Sequence, residues 1–90
     1  MKGQGTGPML LLYTTSGCHL CEQAEALLQS AGAPVETVEI ADDEDLLERY
    51  GVRIPVLRHR ETGGELDWPF DAAAIQRWFN EVNSVGIRYP

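Results

Sequence analysis

Between residues 9 and 40 the chain changes rhythm twice, and those changes set most of what it can fold into. Met9–Tyr13 is an unbroken apolar run, which suits a strand buried on both faces. Thr14–Gly17 reads as a turn. Leu20, Ala24, Leu27, Leu28 and Ala31 then recur at i, i+4, i+7, i+8 and i+11, the spacing of one helical face. Gly32 stands where a helix ends in a left-handed residue, and Pro34 cannot continue the helix. Val35–Ile40 mixes β-branched residues with glutamates, as a strand with one solvated side does. Strand, helix and strand in this order predict a parallel βαβ unit with a right-handed crossover.

The remainder completes a small α/β domain. Asp42, Asp43, Glu44 and Asp45 open a short second helix, with Asp42 as its expected cap and the other acids matching the positive helix end. This run reads first as a solvated helix start and second as a docking surface for a basic partner. Leu46, Leu47 and Tyr50 supply its expected buried face, and Gly51 ends it. Val56–Arg60 and Gly64–Trp68 flank Glu61-Thr62-Gly63 as a hairpin. Asp71 is placed to cap a last helix whose face is Ile75, Trp78, Phe79 and Val82, with the tryptophan and phenylalanine serving the core. The expected order is β-α-β-α-β-β-α, a four-stranded mixed sheet with helices on both faces. Residues 9–82 form the domain, 1–8 a flexible lead and 83–90 a tail without pattern.

Charge narrows the partners. A net charge of −7 disfavours nucleic acid, whose phosphates need clustered Lys and Arg, and anionic membrane surfaces. The run Met9–Tyr13 is too short for a signal-peptide core or a membrane span, so the cytoplasm is the expected location and a monomer the expected state. Thiols stay reduced there, which favours catalytic or metal-binding cysteines over structural ones.

The chain has two cysteines, Cys18 and Cys21, three apart at the predicted turn-to-helix junction. Random placement gives that separation in only about 2% of cases, so the spacing asks for a chemical reason. At i and i+3 of a helix the two sulfurs share a face. Cys18 at the first turn lies beside unpaired backbone N–H groups and the positive end of the helix dipole, which favour thiolate over thiol. It is the expected nucleophile, and Cys21, one turn in, is the residue that resolves a mixed disulfide. His19 as imidazolium could tune Cys18, although the helix dipole opposes a cation there. The rival is a zinc clip, for which Cys18, Cys21, His19 and His59 are the available ligands within one chain. A cluster shared between two chains is the other metal-binding form.

A C-x-x-C just after the first strand of a βαβ pattern is thioredoxin-like. Tyr13 to Cys21, the Ile54-Pro55 step before a strand and the element order together resemble the small glutaredoxin-like branch of the thioredoxin superfamily, over roughly residues 9–82. The resemblance implies a thiol–disulfide oxidoreductase of thioredoxin-like fold acting without a bound cofactor. Its substrates would be disulfide-containing proteins or small thiols, with glutathione or a disulfide reductase supplying electrons. It implies that Pro55 is cis and faces the cysteines, that the Ile54 backbone pairs with an extended substrate, and that Gly17, His19, Leu20 and Asp71 border the substrate. The chain departs from familiar glutaredoxins in carrying His19-Leu20 between the cysteines and no basic residue in Thr14–Gly17. Its Gly63-Gly64 pair precedes the fourth strand instead of following it. These departures predict that glutathione is a poor reductant. The alternative reading is a non-enzymatic thioredoxin-fold module: a redox sensor, a protein-binding domain or a metal or Fe–S carrier.

Overall fold

A computed structural model describes residues 9–85, with side chains to residue 82. The expected lead at 1–8 and the end of the expected tail, 86–90, lie outside the described residues. Strand β1 is Leu10–Thr14, helix α1 His19–Ser30, and strand β2 Val35–Glu39. After a 3-10 turn at Ile40–Asp42 come helix α2 Glu44–Tyr50, strands β3 Val56–His59 and β4 Glu65–Asp67, and helix α3 Ala72–Val85. The sheet order is β2-β1-β3-β4, with β1 parallel to β2 and antiparallel to β3, and β3 antiparallel to β4. This is the expected α/β fold, a mixed four-stranded thioredoxin-like sheet. Helix α3 runs on to Val85, into the stretch read as patternless tail.

Strand alternation divides the core between two faces. Leu10, Leu12 and Leu57 pack with Ala24 and Leu28 of α1 and with Phe70, Ile75 and Trp78 at α3. Tyr13 and Val56 point the other way and pack with Ile40 and Tyr50 beside α2. Complete burial of a leucine contributes about 1.5–3 kcal/mol, so Leu12, Leu28 and Leu57 anchor the first layer.

Helix ends follow their sequence signals with two corrections. Gly32 adopts φ 71°, the Gly32 N–H donates to the Gln29 carbonyl and the Ala33 N–H to the Leu28 carbonyl, which completes a Schellman stop. Asp71 caps α3 through Oδ1, which accepts from the Ala74 N–H at 2.8 Å. The cap of α2 is Asp43, not Asp42: its Oδ1 accepts from the Asp45 and Leu46 N–H groups, while Asp42 closes the 3-10 turn. That turn takes up Ile40–Asp42 and moves the helix start along the chain. Leu47, expected inside, is 46% exposed. The other face of α2 is already filled by Tyr50 with Leu46 partly buried beside it.

Register fixes which segments meet. Thr14 pairs with Glu39, Tyr13 with Val56, and Val56 with Asp67. The chain leaving β1 toward the cysteines, leaving β2, entering β3 through Pro55 and leaving β4 through Trp68-Pro69 therefore all emerge at one end of the sheet. His59 pairs with Leu10 at the opposite end.

Candidate redox site

The turn after β1 is shaped by Gly17, whose φ of 77° lies in the left-handed region where a Cβ is strained. The Cys18 N–H donates to the Thr15 carbonyl at 3.3 Å, which closes that turn. Cys18 takes extended backbone angles and is the N-cap of α1. Its Sγ accepts the Cys21 N–H at 3.1 Å. A sulfur so placed faces a backbone donor at the positive end of a helix of 12 residues, the arrangement that stabilises thiolate.

Cys18 and Cys21 are joined by a disulfide, with Cα atoms 5.2 Å apart, within the span such a bond requires. Their surroundings differ. Cys21 is 1% exposed and belongs to the buried side of α1, whereas Cys18 is half-buried. Leu20, between them, is 44% exposed. His19 points to solvent with its Nδ1 3.9 Å from Glu22 Oε1, one turn along α1.

Glu39, which sequence reasoning assigned to the solvated side of β2, has a more specific place. Its Oε1 accepts from the Ser16 N–H at 3.0 Å and from the Ser16 hydroxyl at 3.1 Å. Its Oε2 accepts from the Ala41 N–H at 3.0 Å. The Thr15 side chain first, then the Ala41 N–H, with a smaller share from Ser16, hold this carboxyl below its ordinary value against the opposing effect of desolvation. Only pairing of β1 with β2 brings a residue 23 positions away onto the cysteine turn.

Across the sheet end lies Pro55, buried, and its bond to Ile54 is cis, as the resemblance implied. The Trp68-Pro69 bond is cis as well, which sequence reasoning did not foresee. Ile54 is half-buried against Tyr13 and Val56, and its N–H donates to the Tyr50 carbonyl at 3.0 Å. Arg53, just before it, spans Glu65 at 2.8 Å and Asp67 at 2.7 Å and lies 5.1 Å over the Tyr50 ring. Hydrogen bonds to these two carboxylates push the Arg53 pKa further up. Arg58 and the Tyr50 hydroxyl also meet Glu65. Burial works to raise the Glu65 pKa, but the Tyr50 hydroxyl and Arg53 outweigh it and hold it below its ordinary value. The Tyr50 hydroxyl is pushed up by its own burial and by Glu65.

Trp68 is half-buried and stacks edge-on with Phe70 at 5.0 Å, and Asp71 caps α3. His59 is buried at the far end, where its Nδ1 accepts from the Glu61 and Thr62 N–H groups of the hairpin. Cys18, Cys21, His19 and His59 are therefore not gathered as one ligand set. Gly63-Gly64 also lies at that far hairpin, away from the cysteines. An apolar cleft of about 280 Å³, lined by Met9, Ala31, Pro34, Ile75 and Phe79, opens where β1 begins and α1 ends, and is likewise separate from the cysteine pair.

Comparison with known proteins agrees with this geometry. The family model described as Glutaredoxin-like domain (DUF836) matches residues 9–80. The crystal structure of protein XcR50 from X. campestris is 46% identical, with a TM-score of 0.74, covering 80% of this chain and 96% of that one. The solution structure of Ne2328 from Nitrosomonas europaea is 30% identical, with a TM-score of 0.64, covering 87% of this chain and 98% of that one. No curated protein matches the chain. With a family model matched over residues 9–80 and a solved relative 46% identical over 80% of its length, the chain belongs to the glutaredoxin-like DUF836 family.

Proposed function

We propose that the protein is a thiol–disulfide oxidoreductase using Cys18 and Cys21 in a dithiol cycle. The observation that carries this reading is the asymmetry of the pair: a half-buried cysteine whose sulfur accepts the Cys21 N–H at 3.1 Å, disulfide-bonded to a cysteine that is 1% exposed. In the reduced protein the Cys18 thiolate attacks a substrate disulfide. A Cys18–substrate bond forms, and the departing substrate sulfur leaves as thiolate and takes a proton from water. Cys21 then gives up its proton and attacks Cys18 Sγ, forming the Cys18–Cys21 disulfide and releasing the second substrate thiol. Two electrons pass to the substrate, and a dithiol reductase or glutathione returns them to the pair.

Several features favour a protein substrate. Leu20 beside Cys18 and Val52, fully exposed on the loop leading to Ile54-Pro55, offer apolar contact at the cysteine end of the sheet. Because the Ile54 N–H is already held by Tyr50, pairing with an extended substrate would run through its carbonyl. Glutathione is the weaker reductant in this reading. The chain carries net charge −7, no basic residue stands in Thr14–Gly17, and Arg53 is engaged by two carboxylates. No helix among the described residues is long and apolar enough to cross a membrane, and a cytoplasmic monomer fits the exchange chemistry.

Serine variants test the roles. Cys18→Ser should not react with an oxidised protein. Cys21→Ser should react and stop as a mixed disulfide on Cys18, visible by mass spectrometry. Equal behaviour of the two variants would sink the assignment. Loss of metal from both, or loss of stability alone, would instead identify a metal clip or a structural bridge.

A further inference from the structure

We infer that Glu39 is a positioning residue for Cys18: its carboxylate clasps the turn that presents the nucleophile. The inference rests on exchange chemistry at Cys18, but it concerns a residue on another strand that no cysteine motif includes.

The geometry is a short chain of bonds. β2 ends at Glu39, paired with Thr14, so its side chain reaches the segment that follows β1. Glu39 Oε1 takes both donors of Ser16, and Oε2 takes the Ala41 N–H, which anchors the carboxylate to its own 3-10 turn. The residue before Ser16 supplies the carbonyl that receives the Cys18 N–H, and the residue after it is Gly17 with its positive φ. Every backbone angle between the clasp and Cys18 thus lies within two residues. Hydrogen bonds to an ionised acceptor are shorter and stronger than neutral ones, so an anion suits this task at a solvated site. A glutamate carboxyl is ionised at neutral pH, and the Thr15 side chain, first among its partners, favours that charged form further.

The clasp matters because Cys18 is a cap. Its sulfur meets the Cys21 N–H only while the residues before the helix hold extended cap geometry. A loosened turn lets the sulfur leave that donor part of the time, and the thiolate loses stabilisation. Glu39 itself would be a poor aid to a thiolate by charge alone, since two anions repel. The expected effect is therefore positional, and a neutral amide, which keeps one acceptor oxygen for Ser16 but loses the acceptor for Ala41, should preserve it in part.

The experiment uses the full-length reduced protein with Glu39→Ala, Glu39→Gln and Ser16→Ala. The Cys18 pKa and its rate with iodoacetamide are read from pH-dependent alkylation followed by peptide mass spectrometry, and a thermal melt is recorded for each variant. Glu39→Ala should raise the Cys18 pKa and slow alkylation at pH 7 by about tenfold, one pKa unit of lost thiolate stabilisation. Glu39→Gln, which keeps the acceptor for Ser16 but not the one for Ala41, should fall between wild type and Glu39→Ala, and Ser16→Ala should slow about twofold. An unchanged Cys18 pKa in Glu39→Ala, with only a lower melting temperature, would overturn the inference. So would a Glu39→Gln variant as slow as Glu39→Ala. If Glu39→Ala does not melt cooperatively, Ser16→Ala decides, and no slowing there overturns it. The readout involves no protein substrate. A wild type that never forms a mixed disulfide, yet shows the Glu39 effect, refutes the proposed function and leaves the clasp standing.

Discussion

The two sides of the cysteine end are built by opposite means. On one side Cys18 sits in an exposed polar turn, held by one carboxylate reaching from β2. On the other, Pro55 is buried and the residue before it packs on Tyr13 and Val56. There Arg53, Arg58, Tyr50, Glu65 and Asp67 form a half-buried network of paired charges, with the Tyr13 and Tyr50 rings 4.4 Å apart beneath it. In the proposed exchange Cys18 must meet solvent and a partner, so its support comes from a few directional bonds. The Pro55 side, proposed as the wall of the substrate groove, gains from burial, because close-packed side chains have few alternative arrangements. The comparison predicts that damage to the core and the wall should register mainly as stability, and damage to the turn mainly as reactivity.

The largest effect should come from the layer both sides share. Leu57, fully buried in β3, contacts the α1 and α3 layer, and Leu57→Ala should cost about 2–5 kcal/mol in chemical denaturation. While the variant remains folded, the Cys18 pKa should stay near that of wild type. A large pKa change in the folded variant would break the division between core and turn.

Next is the network. Glu65→Gln retains shape but removes the charge that Arg53 and Arg58 meet, and should cost about 1–2 kcal/mol after allowing for partial solvent screening. Because the folded-state pKa of Glu65 lies below its unfolded value, its contribution is present above the unfolded pKa of about 4.3 and is lost as pH falls through the folded one. Melting temperature should therefore fall more steeply with acid below about pH 4 in wild type than in Glu65→Gln. Parallel curves for the two proteins would remove Glu65 from the acid sensitivity.

The smallest change in stability should come from the turn. A Cβ at Gly17 meets nothing within 4 Å, so Gly17→Ala is opposed by backbone conformation and not by space. It should cost about 1 kcal/mol. Alkylation of Cys18 should nevertheless slow measurably, since the strain falls on the residue beside it. A fall in stability with unaltered alkylation would show that Cys18 tolerates a displaced turn.

Local signals carried much of this in the sequence. The apolar run of β1, the Gly32 stop and the Asp71 cap are rules about near neighbours, and each holds in the structure; the spacing of α1 gave the helix, but its buried side is Cys21, Ala24 and Leu28, with Leu20 and Ala31 exposed. The cysteine pair is of the same kind, because its spacing and its place at a helix start are both local. Boundaries were less legible. The 3-10 turn at Ile40–Asp42 moved the α2 cap to Asp43, since either aspartate has the chemistry and only the path of the chain selects one.

What the sequence determined by itself is therefore the element order, the family likeness and the cysteine pair at the helix start. Tertiary structure decided which distant residues stand beside that pair. Glu39 reads as an ordinary strand glutamate until β1 and β2 pair in parallel and bring their ends together, although an acid closing the second strand of a βαβ unit was a signal available in principle. Arg53, Glu65 and Asp67 are unremarkable charges until the β3–β4 hairpin sets them side by side. His59, a candidate metal ligand by type, is removed from the site by its register opposite Leu10. Hydrogen bonds and ion pairs depend on ångström-scale distances between residues far apart in the chain. Those distances are set by strand register and packing, which no short-range pattern encodes.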